Sequence, residues 1–404
     1  MFDITDSETK VLYGDLKAFN SVVPSKIFDS SVISLLSDFS SNIMNSQRAK
    51  AFPDLISFAF WCRKSNIEKF QRGYQEKDFR IGLGKVLHIA PRNVPMNFAF
   101  SWALAALAGN KSYVKLPSNN FDQIDLFLET LSELSSSSHL YEIANSAIFF
   151  RTSHSSDLLR QLTLGSEARI IWGNSQTVQS LRSLETNPRH LDLIFPSRYS
   201  ISILSADEFA GLGVDESLNV VRNFVKDALT FGQRGCSSPR LLFWLGSDSS
   251  YVSARNKFWN LTSRFTEEYL DPADNFARFA NLATSTIRGT GVNDNSISIH
   301  ESLIHFENSQ ISKSSIEQVM TLGTFQEVRV NALAEVLHQL DRNVQTVTYF
   351  GVSPDELLEA ITLAGFTGID RIVPFGAAFD MNPVWDGVDV IRSLSRVIEV
   401  RRRP

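Results

Sequence analysis

Apolar residues follow two alternating periods along this chain. From residue 85 onward, short runs of consecutive apolar and β-branched residues predict strands at 85–90, 113–116, 147–150 and 170–172. Between and after these runs, apolar residues return at helical spacing over 95–108, 121–134, 156–164 and 173–184, with Pro95 placed to open the first of these helices. Strands that alternate with helices in this way predict a doubly wound parallel sheet, with ligands at the carboxyl ends of its strands.

Before this region, 31–39 and 51–70 read as helices with no chemical motif. After it, 191–204 reads as one strand kinked at Phe195-Pro196-Ser197-Arg198. A helix is predicted over 218–230, a strand over 241–245, a helix over 251–269, and strands over 296–305, 324–330 and 344–349. The helix at 353–363 opens on Ser353-Pro354-Asp355-Glu356, which supplies a cap, a proline and first-turn acids. This second alternation predicts a second α/β domain. The expected division is a helical segment 1–80 packed on the first domain, a first domain 81–205, and a second domain 206–380. The last stretch, about 380–404, either returns to the first domain or forms an oligomerisation strand.

Composition changes this picture little. At 404 residues, two domains or more are expected, and 43% hydrophobic with 21% charged residues is ordinary for a globular chain. A net charge of −5 gives no electrostatic reason to expect nucleic acid or an anionic membrane as partner. The longest apolar stretch, 98–108, is too short to span a bilayer, and the first residues lack the features of a signal peptide. Cys62 and Cys236 are the only cysteines, so no disulfide framework is expected, and a reducing, cytoplasmic location fits. Thirty phenylalanines against eight tyrosines point to core packing. The seven histidines show no metal-ligand spacing, so no metal is expected.

The candidate chemistry lies in Phe231-Gly232-Gln233-Arg234-Gly235-Cys236-Ser237-Ser238-Pro239-Arg240, between the helix at 218–230 and the strand at 241–245. A cysteine among glycines and small hydroxyl residues, in a turn between helix and strand, is open to a substrate. Backbone N–H groups of such a turn can face an oxyanion. The alternative is inert packing, the role of most lone cysteines. Arg234 is the nearest cation in sequence before it.

Gly84 to Pro95, followed by Ala105-Ala106-Leu107-Ala108-Gly109-Asn110 and Val114-Lys115, resembles the cofactor-domain core of the aldehyde dehydrogenase superfamily, and Phe231 to Arg240 resembles its cysteine loop. Asn343 to Val347, Arg371 to Gly376 and Trp385-Asp386-Gly387 resemble more closely the LuxC-type fatty acyl-CoA reductases. The resemblance covers roughly residues 80–400. It implies an aldehyde dehydrogenase-like fold, with a parallel-sheet cofactor domain and a second α/β catalytic domain carrying the cysteine. It also implies an NADPH-dependent reductase of acyl-CoA or another acyl thioester, with NADH also open as cofactor.

On that resemblance Cys236 is the nucleophile, and Asn93 donates its side-chain amide to the oxyanion beside the Cys236 N–H. Without the resemblance, Asn93 reads as a turn residue ahead of a proline. Lys115 either contacts the adenosine ribose or a 2′-phosphate or is a solvated strand-end lysine. Ser118 stands where NAD-preferring relatives often carry a glutamate, which permits NADPH. Gly173 and Asn174 open a helix after a strand, for a pyrophosphate or simply for the turn. Glu327 is the candidate to hold the nicotinamide ribose.

Two departures from the superfamily pattern bear on the activity. Residues 195–202 carry no acid where hydrolytic aldehyde dehydrogenases have the glutamate that activates water, which favours thiol or hydride resolution of an acyl-enzyme. One extra residue also separates Gln233 from Cys236. An NAD(P)-dependent aldehyde dehydrogenase, an acyl-phosphate reductase and a non-catalytic acyl-carrying scaffold remain alternatives. An acyltransferase or acyl-protein synthetase partner and a homo-oligomer are further expectations of the resemblance.

Overall fold

In the computed structural model the described residues are 9–74, 79–91, 94–137, 140–271, 274, 276–280, 297–300, 303–311, 316 and 321–401. The chain forms two compact units, residues 1–197 with 381–404, and residues 198–380.

The first unit is built on a six-stranded sheet. Its strands are β1 (Lys10–Tyr13), β3 (Lys85–Ile89), β4 (Lys111–Lys115), β5 (Ala147–Arg151), β6 (Ala168–Gly173) and β7 (Leu191–Pro196), in the spatial order β1-β5-β4-β3-β6-β7. All neighbours pair parallel except β1, which runs antiparallel on the edge beside β5. Val86, Leu87, Ile89, Ile148, Phe149, Ile170 and Ile171 are all buried, the largely apolar run expected where helices cover both faces of a sheet, with His88 a buried polar exception in β3. The order reverses between β3 and β6, so the crevice of this sheet lies beyond their carboxyl ends.

The helix Asn97–Leu107 is buried almost all round, as a central core helix must be. Phe127 packs on Phe39, Phe98 and Phe149 with ring centroids 5.0, 5.1 and 5.6 Å apart, so much of the phenylalanine excess is core. The closing strand Ser395–Ile398 pairs antiparallel with β2 (Phe79–Gly82) of the same chain, so the tail returns to the first unit.

The second unit holds a seven-stranded sheet of β8 (Tyr199–Ser205), β9 (Pro239–Leu245), β10 (Ile297–His300), β11 (Leu303–Asn308), β12 (Thr324–Val330), β13 (Val344–Phe350) and β14 (Arg371–Pro374). Its order is β10-β11-β12-β9-β8-β13-β14, all parallel apart from β10.

The pattern at 191–204 is two strands, not one kinked strand. Pro196 ends β7 in the first sheet, and β8 pairs with β9 and β13 of the second, so residues 199–205 join the second unit instead of closing the first. Within the run at 296–305, β10 and β11 are likewise separate strands that pair antiparallel, and 51–70 is two helices, Pro53–Trp61 and Lys64–Arg72.

Candidate active site

The cysteine loop belongs to the second unit. The amphipathic helix Val214–Leu229 leads into a short 3-10 turn, Thr230–Gln233, and Cys236 follows three residues before β9. The loop therefore sits at the amino edge of this parallel sheet, not at the carboxyl edge where an open α/β sheet usually binds its ligand. Phe231, Gly232 and Gln233 all have left-handed backbones, with φ of 58°, 60° and 61°. Leu322, in the turn before β12, has φ of 59° and donates its N–H to the Gly232 carbonyl at 3.1 Å. Strain of this kind persists only where the surroundings over-determine it.

Here the surroundings are a side-chain clasp. The buried Gln233 amide donates to the carbonyls of Pro239 (3.2 Å) and Thr324 (3.1 Å). Its oxygen accepts from the N–H groups of Gly323 (3.0 Å) and Thr324 (3.2 Å). One side chain thus ties the loop to the start of both β9 and β12. Ser200 on β8 donates its hydroxyl to the Cys236 carbonyl at 2.6 Å. Cys236 is partly exposed, whereas Cys62 lies wholly in the first unit's core, where burial pushes its thiol well above the ordinary value. Of the two thiols, Cys236 has the open environment a nucleophile needs.

Arg234, the cation nearest in sequence before the cysteine, is half exposed and stands 3.8 Å from Asp274. Arg240, the second residue of β9, is a further cation coupled to the cysteine. Burial lowers its proton affinity and the charge of Cys236 raises it, so the two groups sense one another. Arg240 donates to the Arg198 carbonyl at 3.3 Å.

Glu327 does not have the setting of a cofactor ligand. It has no exposed surface, and one carboxylate oxygen accepts from the indoles of Trp244 (2.9 Å) and Trp259 (2.8 Å). The other oxygen takes Arg255 Nε at 2.7 Å and lies 2.6 Å from His305 Nδ1. Burial pushes this carboxyl up, but His305 and Arg255 outweigh it and hold it below the usual range. With both oxygens occupied inside the protein, Glu327 serves the second unit's core, contrary to the sequence expectation.

In the first unit, Lys115 ends β4 and is buried, and Ser118 is exposed three residues on. Gly173 ends β6, and Asn174 caps the following helix Ser175–Arg182 by accepting the Thr177 N–H at 2.8 Å. Lys115 pairs in register with Ile89, and Ile89 with Ile171, so the ends of β4 and β6 flank β3 at the reversal of strand order. These residues fit a nucleotide bound at the carboxyl edge, with Gly173 leaving room at the helix start. Asn93 lies outside the described residues.

The fold is similar to that of solved aldehyde dehydrogenases. Lactaldehyde dehydrogenase from Escherichia coli is similar over 91% of this chain and 86% of its own, with 12% identity and a TM-score of 0.63. Aldehyde dehydrogenase 21 from Physcomitrella patens, in complex with the product succinate, covers 92% and 86% at 10% identity and a TM-score of 0.63. An NADP-dependent glyceraldehyde-3-phosphate dehydrogenase from Bacillus halodurans, complexed with NADP, covers 91% and 86% at 13% identity and a TM-score of 0.58. Within that class, residues 40–397 match the family model of acyl-CoA reductase (LuxC), and the chain belongs to this family. No curated protein sequence matches at a significant level. Among the described residues no helix is long and apolar enough to cross a membrane.

Proposed function

We propose that this protein reduces an acyl-CoA thioester to the aldehyde through an acyl-enzyme on Cys236, using NADPH. Family membership supports an oxidoreductase acting on acyl or aldehyde groups. The observation that carries the finer reading is the pinned, strained loop that leaves Cys236 partly open beside the desolvated Arg240.

In this reading Arg240 favours the thiolate, the reactive form of the cysteine. The Cys236 sulfur attacks the thioester carbonyl, forming one C–S bond, and the bond to the coenzyme A sulfur breaks as that thiolate leaves. Asn93 and the Cys236 N–H receive the charge that develops on oxygen, a contribution typically worth about 10²–10³ in rate per donor. Lys115, Gly173 and Asn174 hold the nucleotide, and Ser118, lacking a negative charge, tolerates a 2′-phosphate. NADPH, when bound, supplies the hydride that brings the acyl carbon to the aldehyde level. No acid in 195–202 activates water, so the acyl-enzyme waits for reductant instead of being hydrolysed.

The experiment is a product assay. A chain-length series of acyl-CoA is incubated with NADPH or NADH, and aldehyde and coenzyme A are measured together. Equimolar release of the two is expected, faster with NADPH. Oxidation of aldehyde by NADP⁺ at a rate indifferent to added coenzyme A would identify an ordinary aldehyde dehydrogenase instead.

A further inference from the structure

The segment Arg371 to Gly376 leads into a loop, 376–380, whose backbone is gripped by a buried carboxyl group and a buried guanidinium. Asp227 has no exposed surface and accepts the N–H groups of Gly376 (2.6 Å) and Ala378 (3.0 Å). Arg371, also buried, donates to the carbonyls of Ala378 (2.7 Å) and Asp380 (3.1 Å). Lys226 donates to the Gly376 carbonyl at 2.8 Å. A loop held through both its donors and its acceptors has little freedom to shift.

What this grip presents is Phe379. A methyl group built on Gly235 would lie 2.8 and 2.9 Å from Cε1 and Cζ of that ring. The ring therefore rests directly on the backbone of the residue before Cys236, and only glycine leaves the space. Phe379 also meets Phe231 edge-on, with centroids 5.5 Å apart and planes at 84°. Phe231, the first residue of the strained stretch, and Gly235, the residue before Cys236, are thus under one side chain. Gly235 lies within the lengthened spacing between Gln233 and Cys236, so the extra length of the loop coincides with the ring that covers it.

We propose that Phe379 is a positioning residue for Cys236, held by the Asp227 and Arg371 grip so that its ring closes over Gly235 and fixes the direction of the cysteine. The inference rests on Cys236 being the nucleophile. It adds that the loop's conformation is imposed from 376–380 as well as by the Gln233 clasp.

A double-mutant cycle on the full chain tests it, using Phe379→Ala, Gly235→Ala and the two combined, with Phe379→Leu as the conservative variant. Two rates are read, together with the thermal midpoint. One is release of coenzyme A from acyl-CoA without NADPH. The other is alkylation of Cys236 by iodoacetamide across pH, located by peptide mapping. Phe379→Ala is expected to slow acylation about 10–100-fold, mainly in the limiting rate at saturating acyl-CoA and not in the concentration that gives half of it, as for a misplaced reacting group. Phe379→Leu should recover most of that loss. Gly235→Ala should be severe alone and partly rescued in the double variant, because the methyl then has the room the ring vacated.

Wild-type acylation by Phe379→Ala, or an equal cost of Gly235→Ala with and without the ring, would overturn the inference. Should Phe379→Ala not fold, Phe379→Leu and the Gly235→Ala pair with Phe379→Leu decide the same question. A wild-type protein that releases no coenzyme A but alkylates at Cys236 would remove the proposed function. The alkylation cycle would still judge the positioning role.

Discussion

Replacing Gln233 by alanine removes all four hydrogen bonds that tie the cysteine loop to β9 and β12, at 3.0–3.2 Å each. A typical buried hydrogen bond contributes about 1 kcal/mol net, so the set is worth about 4 kcal/mol. Freeing a fixed glutamine side chain returns about 1.5–2 kcal/mol of entropy, which leaves a net loss of about 2–2.5 kcal/mol. The left-handed backbone at Gln233, with φ of 61°, is not relieved by alanine. Gln233→Gly relieves it and should be about 1 kcal/mol less damaging than Gln233→Ala. Gln233→Glu keeps the two accepted bonds but turns a charged oxygen toward the Pro239 and Thr324 carbonyls, so it should be the worst of the three. Urea unfolding followed by tryptophan fluorescence measures the stability, and cofactor-free coenzyme A release measures the loop. A Gln233→Ala protein within 0.5 kcal/mol of wild type by the usual scatter of surface changes, about ±0.5 kcal/mol, would refute the clasp. So would a ranking in which glutamate is harmless.

Three further outcomes are expected. Arg240→Gln should raise the pH of half-maximal Cys236 alkylation by on the order of one unit, as loss of a neighbouring cation does. An unchanged profile would remove Arg240 from thiolate stabilisation. Glu327→Gln leaves Arg255 and His305 without their carboxylate and should cost about 3–5 kcal/mol, with the NADPH Kd unchanged. A weakened Kd at intact stability would return Glu327 to the cofactor. His88 is buried between the hydroxyls of Ser101 (2.8 Å) and Ser112 (3.1 Å), and burial lowers it to about 3. The fold keeps this ring neutral, so its contribution is complete above the unfolded value near 6.5. It is lost as pH falls toward 3, by about 1.4 kcal/mol per pH unit. Unfolding midpoints between pH 7 and 5 should therefore fall less steeply for His88→Asn than for wild type, and equal slopes would contradict this assignment.

How much of this was legible in the sequence depended on whether a signal was local. Strands such as 85–89 and 147–151 announce themselves, because a strand buried on both faces is largely apolar, interrupted here by His88 and the end residues Lys85 and Arg151. The junction at Pro196 was harder, since two strands of different sheets can follow one another with nothing between them that a period-two pattern would register. The open setting of Cys236 was legible from its glycines and serines. What holds its loop was not. Gln233 reaches β12 some ninety residues on, and Phe379 reaches back to Gly235 from beyond β14. Glu327 misled because an acid in a strand of a nucleotide-binding fold resembles a ribose ligand. Only its neighbours Trp244, Trp259, Arg255 and His305, drawn from three separate elements, reveal a core ion pair.

The most direct test of the central claim mixes the protein with acyl-CoA in the absence of any nicotinamide cofactor. The account predicts a burst of about one coenzyme A per active site, with the acyl mass recovered on the peptide that contains Cys236 and no burst from Cys236→Ala. Acyl mass on another residue, or a full burst from Cys236→Ala, would contradict it.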